Sequence, residues 1–338
     1  MGISDSLHNW IRSFLSNRKQ LVVVEGVKSS PMPVLSGVPQ GTVLGPLLFL
    51  VYINDICDNL SPGTKLRLFA EDSSLYREIK TEDDIKILQK DLDTLQDWET
   101  LWKMEFHPGK CQVLRITNKI KFLKGNYFIH NTLLQEQKSA KYLGVVIDSH
   151  LNWSDQYSAV IKKANKTLAF LRRNLYDCPS KVKSDCYTTL IRPCLEYGCS
   201  AWDPYQKNDI KKLEQVQKRA ARFITGNYCL EHGSTEANMK KLGFKPLRER
   251  RAVIKLNLFY KARHSLVEIP MSHLKINRVA TRRQGDYAIP DSNLDSHKNS
   301  FYPSTIRLWN TLPAKCKQAS TADSFKNLLS NQTVRSAY

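Results

Sequence analysis

No two cysteines of this 338-residue chain stand at C-x-x-C spacing, and none is grouped with histidines as a zinc site requires. The eight thiols, Cys57, Cys111, Cys178, Cys186, Cys194, Cys199, Cys229 and Cys316, therefore read as reduced side chains of an intracellular protein, nuclear or cytoplasmic. Long apolar runs are lacking too. The longest, Val43 to Ile53, is about eleven residues and is broken by Gly45 and Pro46, against the roughly twenty that a bilayer crossing needs, so no membrane span is expected. Met1 to Leu15 has no uninterrupted apolar core, which excludes a secretory signal. Met1-Gly2 followed by Ser6 does satisfy the short myristoylation pattern, one that arises often by chance. With 41% apolar residues and only 14 glycines and 14 prolines, the composition excludes a wholly disordered or fibrous chain.

Acidic residues are scarce in one part only. The net charge of +19 divides into +1 over residues 1–150 and +18 over residues 151–338. An excess of that size points to a polyanionic partner and assigns it to the C-terminal part.

Hydrophobic spacing places a helix over residues 5–16, with Leu7, Ile11 and Leu15 on one face and Ser4 or Asp5 as its cap. A hairpin is expected from Leu21–Glu25 and Pro31–Leu35 around Gly26–Ser30. A loop with three glycines and two prolines, Ser36 to Pro46, then leads into an apolar helix from Leu47 to about Ile56. Leu66–Phe69 and Ser73–Arg77 read as short strands around the turn Ala70-Glu71-Asp72, which puts carboxylates on a hairpin tip. An amphipathic helix follows from Glu82 to about Met104, then strands at Gln112–Thr117, Tyr127–Ile129 and Tyr142–Ile147. The remainder reads as helical: Ser154–Asn174, Ser180–Tyr197 kinked at Pro193, Asn208–Thr225 and Leu247–Arg263. A loop-rich tail runs from Glu268 to a last helix, Phe301–Leu312.

The string Ser36-Gly37-Val38-Pro39-Gln40-Gly41-Thr42-Val43-Leu44-Gly45-Pro46-Leu47-Leu48-Phe49-Leu50 resembles the reverse transcriptases of non-LTR retrotransposons, the jockey and chicken-repeat-like group. Phe69-Ala70-Glu71-Asp72 resembles the family's aromatic-Ala-Asp-Asp turn. Similarity continues through Trp102 to Cys111, Tyr142 to Trp153, Ile191 to Gly198, Leu213 to Ala220 and Tyr302 to Pro313. The resemblance implies an α+β fold: a partial polymerase palm, antiparallel sheet with helices, over residues 1–117. Residues 118–265 would hold the end of the palm, a primer-grip-like hairpin and a basic helical thumb-like region, and residues 266–338 a C-terminal extension. It also implies RNA-directed DNA synthesis on a template-primer of RNA and DNA, from deoxynucleotides, with Mg²⁺ held by carboxylates. On this resemblance Asp72 and Glu71 are the metal-site positions, Pro39, Gln40 and Gly41 line the nucleotide pocket, and Lys110 is the acid for the leaving pyrophosphate.

Two departures put the activity in question. Glu71 stands where the family has Asp, and its extra methylene displaces the carboxylate by about 1 Å, a misplacement that costs about a hundredfold in such chemistry. The strand that carries the remaining metal-binding Asp in the family lies upstream of the segment matching Met1 to Asn17. The expectation is a reverse transcriptase fragment that does not polymerise alone. Its alternatives are a non-catalytic RNA- or DNA-binding protein and a transposon remnant without a role. The binding alternative rests on one helical stripe: Lys211, Lys212, Lys218, Arg219 and Arg222 fall within about 120° of one another, opposite Leu213, Val216, Ala220 and Phe223. Lys162, Lys163, Lys166, Arg172 and Arg173 form a second cluster on the preceding long helix.

Overall fold

A reciprocal cap starts the longest helix of the N-terminal part: the Thr81 hydroxyl accepts from the Asp84 amide while the Asp84 carboxylate accepts from the Thr81 amide. The computed structural model describes residues 4–229, 231, 233–275 and 286–330. The Met1-Gly2 pattern and parts of the expected C-terminal extension, residues 276–285 and 331–338, lie outside them. The chain divides into two units, residues 1–137 and 138–338.

The first unit runs α1 (Asp5–Leu15), β1 (Lys19–Gln20), β2 (Val23–Val24), β3 (Val27–Lys28), β4 (Met32–Pro33), α2 (Gly45–Ile53), β5 (Lys65–Phe69), β6 (Asp72–Tyr76) and α3 (Glu82–Trp102). It closes with β7 (Gln112–Leu114), β8 (Phe128–Ile129), β9 (Thr132–Leu133) and β10 (Gln135–Gln137). The early hairpin is tighter than its sequence led us to expect. Glu25 and Gly26 have φ of +51° and +84°, a two-residue turn whose twist matches the strands, so Val27 and Lys28 pair instead of looping. The second hairpin also turns on two residues, Ala70 and Glu71, and Asp72 is drawn into the ladder opposite Phe69. Its core is Ile53, Ile56, Leu95 and Trp98, packed against by Leu66, Leu68 and Leu75 of the hairpin. No residue before Phe49 joins a buried apolar cluster among the described residues, and Leu35 and Val43 are 88% and 92% exposed.

The second unit opens with β11 (Ser139–Tyr142) and β12 (Val145–Asp148). The apolar run Tyr142–Ile147 reads as one strand by pattern, yet the chain reverses within it at Leu143-Gly144, φ +45° and +81°. Helices follow: α4 (Ser154–Asn174), α5 (Ser180–Cys186), α6 (Arg192–Glu196), α7 (Cys199–Trp202), α8 (Lys207–Thr225), α9 (Ser234–Lys241) and α10 (Leu247–Arg263). The unit ends in α11 (Asp295–Lys298), α12 (Phe301–Asn310), α13 (Ala314–Lys317) and α14 (Ala322–Ser330). The distortion expected at Pro193 is a π-helical turn, Tyr187–Ile191, between α5 and α6: widening the preceding turn relieves the clash of the proline ring with the carbonyl four residues back. Helices α9 and α14 were not expected, being short and polar on most of their surface.

Two apolar clusters hold this unit. Ile191, Leu195, Trp202, Leu213, Val216 and Ala220 are fully buried in one, and Leu256, Phe259, Ile306, Trp309, Phe325 and Leu329 in the other. Each large side chain contributes roughly 1.5–3 kcal/mol. The elements agree with an α+β class. The multi-stranded antiparallel sheet is replaced: every ladder among the described residues has two strands, and β7–β10 is parallel.

Candidate functional site

The Gly/Pro loop before α2 is held by hydrogen bonds that its sequence does not advertise. Arg18 reaches back with Nη2 to the carbonyls of Ser36 (3.2 Å) and Gly37 (2.5 Å), and with Nε to that of Leu15 (3.0 Å). Thr42 Oγ1 donates to the Pro39 carbonyl (2.9 Å) and accepts from the Gly45 amide (3.0 Å), capping the helix start. A Cβ on Gly45 would sit 2.5 Å from the Pro39 carbonyl oxygen, so only glycine lets the loop close on the helix here. Pro39 is half-buried, while Gln40 and Gly41 are exposed, the latter at φ +77°.

Glu71 and Asp72 are exposed at the tip of β5–β6, and neither carboxylate has a hydrogen-bond or ion-pair partner among the described residues. Between Phe69 and Glu71, Ala70 takes φ +50°, a left-handed conformation that costs an L-residue about 1–2 kcal/mol. The base of this hairpin is clamped to α3. Buried Asp91 accepts from the Ser61 amide (2.8 Å) and the Thr64 hydroxyl (2.5 Å), and Arg77 donates to Asp84 (3.1 Å), to the Pro62 carbonyl (2.9 Å) and to Thr64 (3.1 Å). Trp98 Nε1 donates to Asp55 at the end of α2 (2.8 Å). The loop helix and the carboxylate hairpin thus share one scaffold. Sequence reasoning passed over Arg18, Thr42, Asp55 and Asp91; only the T-x-x-D cap at Thr81 carried a local signal.

Lys110 ends a short 3₁₀ turn, Pro108–Lys110, and is exposed. Among the described residues no hydrogen bond or ion pair joins it to Gln40 or to the carboxylates, and no group of three or more His, Cys, Asp or Glu side chains stands together as a metal site. Two divalent ions need more carboxylates than Glu71 and Asp72 supply, so the residues present do not fit a two-metal centre.

The cationic side chains of the second unit fall into free and engaged sets. On α8, Lys212 is paired with Asp209 (3.1 Å) and Lys218 with Glu236 (2.6 Å). Lys211 is exposed and, among the described residues, unpaired, and Arg219 Nη1 donates to Asn165 Oδ1 of α4 (3.3 Å). Arg222 is half-buried, its Nε buried without a partner among the described residues. Asn165 lies one turn beyond Lys162 on α4, where Lys162, Lys163, Lys166 and Arg173 are exposed and likewise unpaired. Arg172 stands 6.0 Å from the centre of the Tyr228 ring. The Arg219–Asn165 contact therefore joins the two cationic faces along one helix pair.

Residues 1–147 match the family model described as reverse transcriptase (RNA-dependent DNA polymerase). The chain is 28% identical over 229 residues, 64% of its length, to the RNA-directed DNA polymerase from mobile element jockey of Drosophila melanogaster, of which this covers 25%. Against the protein of the same name from Drosophila funebris the identity is 30% over 238 residues, 66% of the chain and 25% of the relative. Against the probable RNA-directed DNA polymerase from transposon BS of Drosophila melanogaster it is 28% over 239 residues, 67% of the chain and 26% of the relative. The aligned part thus spans about a quarter of the length of these curated relatives. No solved structure matches the chain.

Proposed function

We propose that this chain, which is similar to the RNA-directed DNA polymerases of jockey-type mobile elements, binds RNA or DNA through the α4–α8 face without polymerising alone. The observation that carries this reading is the Arg219–Asn165 contact, which joins α8 to α4 beside the exposed cations Lys211, Lys162 and Lys166, unpaired among the described residues. Such a surface neutralises phosphates and releases counterions, giving sequence-tolerant affinity that falls with salt. Lys212 and Lys218 add less, because Asp209 and Glu236 already neutralise them.

In this reading the first unit descends from the palm, with Pro39, Gln40 and Gly41 at the former nucleotide pocket, Glu71 and Asp72 at the metal positions and Lys110 as the former acid. The donor set does not support two Mg²⁺, and no step is assigned to them. Template-primer remains the partner class, with the protein inside the cell, nuclear or cytoplasmic, where eight unpaired thiols stay reduced.

Two assays test the proposal. Primer extension on a primed RNA template with Mg²⁺ or Mn²⁺ is expected to give no product; incorporation lost in Asp72→Ala overturns the non-catalytic reading. Electrophoretic shift of RNA and DNA duplexes across a salt series is expected to show binding that weakens steeply. Absence of binding at low salt overturns the proposal.

A further inference from the structure

We propose that Arg192, Gln217, Lys245 and Arg250 form a phosphate-binding pocket in the second unit. These residues, with Gly243 and Phe244, line a half-open cavity of about 170 Å³. At roughly 30 Å³ per water molecule that is space for several waters, and a tetrahedral oxyanion fits within it.

The chemistry of the lining selects for an anion. Arg192, Lys245 and Arg250 all border the cavity; of the nearby carboxylates, Glu196 is taken up by a two-point contact with Arg250 (Nη2 to Oε2 3.0 Å, with Nε on Oε1) and Glu214 accepts from the Arg248 amide (2.9 Å). Arg192 is half-buried and makes no side-chain hydrogen bond or ion pair among the described residues. A guanidinium taken partly out of water with no partner is costly unless something anionic meets it. Lys245 donates to the Ser330 carbonyl (2.9 Å), which occupies one of its three hydrogens.

Gln217 is the positioned neutral donor. It is 1% exposed, its Oε1 accepts from the Tyr187 hydroxyl (2.6 Å) and its Nε2 donates to the Lys245 carbonyl (3.0 Å). Those bonds fix which way the amide faces and leave one amide hydrogen without an assigned partner among the described residues. Two of the strings that carry the resemblance contribute to this lining, Arg192 from Ile191 to Gly198 and Gln217 from Leu213 to Ala220, while Glu196 of the first string holds Arg250. The segment Gly243–Arg250 completes it at the start of α10.

The phosphate belongs either to a nucleic-acid backbone, which rests on the function proposed above, or to a small phosphorylated molecule, which does not. The thermal unfolding midpoint of the full chain, in inorganic phosphate and in chloride at matched ionic strength, reads the pocket directly. The midpoint is expected to rise with phosphate, and the rise to be lost in Arg192→Gln and in Lys245→Gln but kept in Lys211→Gln. A midpoint that phosphate does not raise, or a rise that survives both pocket variants, overturns the proposal.

Binding of a single-stranded RNA, followed by fluorescence anisotropy, separates the sources. If the backbone is the ligand, Arg192→Gln weakens binding several-fold and lowers the slope of log affinity against log salt by about one. If a free phosphorylated molecule is the ligand, RNA affinity is unchanged while the thermal effect disappears. A wild-type chain that binds no RNA but keeps its phosphate response removes the nucleic-acid function and leaves the pocket standing.

Discussion

Arg251 Nε donates to Asp203 Oδ1 at 2.8 Å from a guanidinium that is fully buried, and Lys255, one helical turn along α10, closes on the other oxygen of the same carboxylate at 2.5 Å. Lys255 also reaches Ser304 of α12 (3.3 Å), so this cluster links the two apolar clusters of the second unit. Two buried cations share one anion, and Arg251 Nη1 and Nη2 have no hydrogen-bond partner among the described residues.

Asp203→Asn is expected to be the costly change. It leaves two buried cations without a counter-charge and destabilises the unit by about 3–5 kcal/mol. Arg251→Met costs less, because it removes two orphaned donors and leaves the Lys255–Asp203 pair intact. Urea unfolding of both variants checks the order, and equal costs overturn this account.

Gly45→Ala is expected to disturb the loop out of proportion to its size. The added methyl meets the Pro39 carbonyl at 2.5 Å, against rigid backbone on both sides, and forcing it in costs about 1–3 kcal/mol. Amide hydrogen exchange at Gly45, whose donor bond to Thr42 must lengthen, is expected to accelerate. Unchanged exchange there contradicts the tight closure described for the loop.

Asp84 governs the acid stability of the α3 start. Its carboxyl is held down to about 2, first by the backbone amides of Lys80 and Thr81 and further by the Thr81 hydroxyl and Arg77. The folded value lies below the unfolded value near 3.9, so the contribution is complete above about pH 4 and is lost as the pH falls through about 2. The urea midpoint of the wild type is expected to drop across that window, and the gap to Asp84→Asn to close. A gap constant from pH 5 to 2 would falsify the assignment.

Thiol labelling reports the burial pattern. Cys57 and Cys229 are exposed, whereas Cys199 is 1% exposed and its thiol is pushed up to about 12, mainly by burial and secondarily by the Asp203 carboxylate. At pH 8 only about one Cys199 in ten thousand is thiolate, the reactive form. Iodoacetamide followed by peptide mass spectrometry is expected to mark Cys57 and Cys229 within minutes and to leave Cys199 unmodified until denaturant is added.

The long helices were legible in the spacing of apolar residues alone. Ser154–Asn174 and Leu247–Arg263 begin and end where that spacing places them; α4 buries mainly its apolar stripe, whereas α10 also buries Arg251 and Lys255, which the spacing did not indicate. Turns were less legible. Glu25-Gly26, Ala70-Glu71 and Leu143-Gly144 each carry a non-glycine residue at positive φ, a conformation that local propensity disfavours and that ladder pairing imposes.

The order and kinds of residues suffice for the α+β class, for the similarity to reverse transcriptases through the Ser36–Leu50 string, and for the concentration of positive charge after residue 150. All three are properties of composition and of succession along the chain. Which cations are free follows from packing: Glu236 lies eighteen residues from Lys218, and Asn165 fifty-four residues from Arg219, yet each is in contact. The meeting of Arg192, Gln217, Lys245 and Arg250 around one cavity has the same origin. Coulomb and hydrogen-bond energies act over a few ångströms of space, and only the tertiary fold converts distant positions in a chain into neighbours at that range.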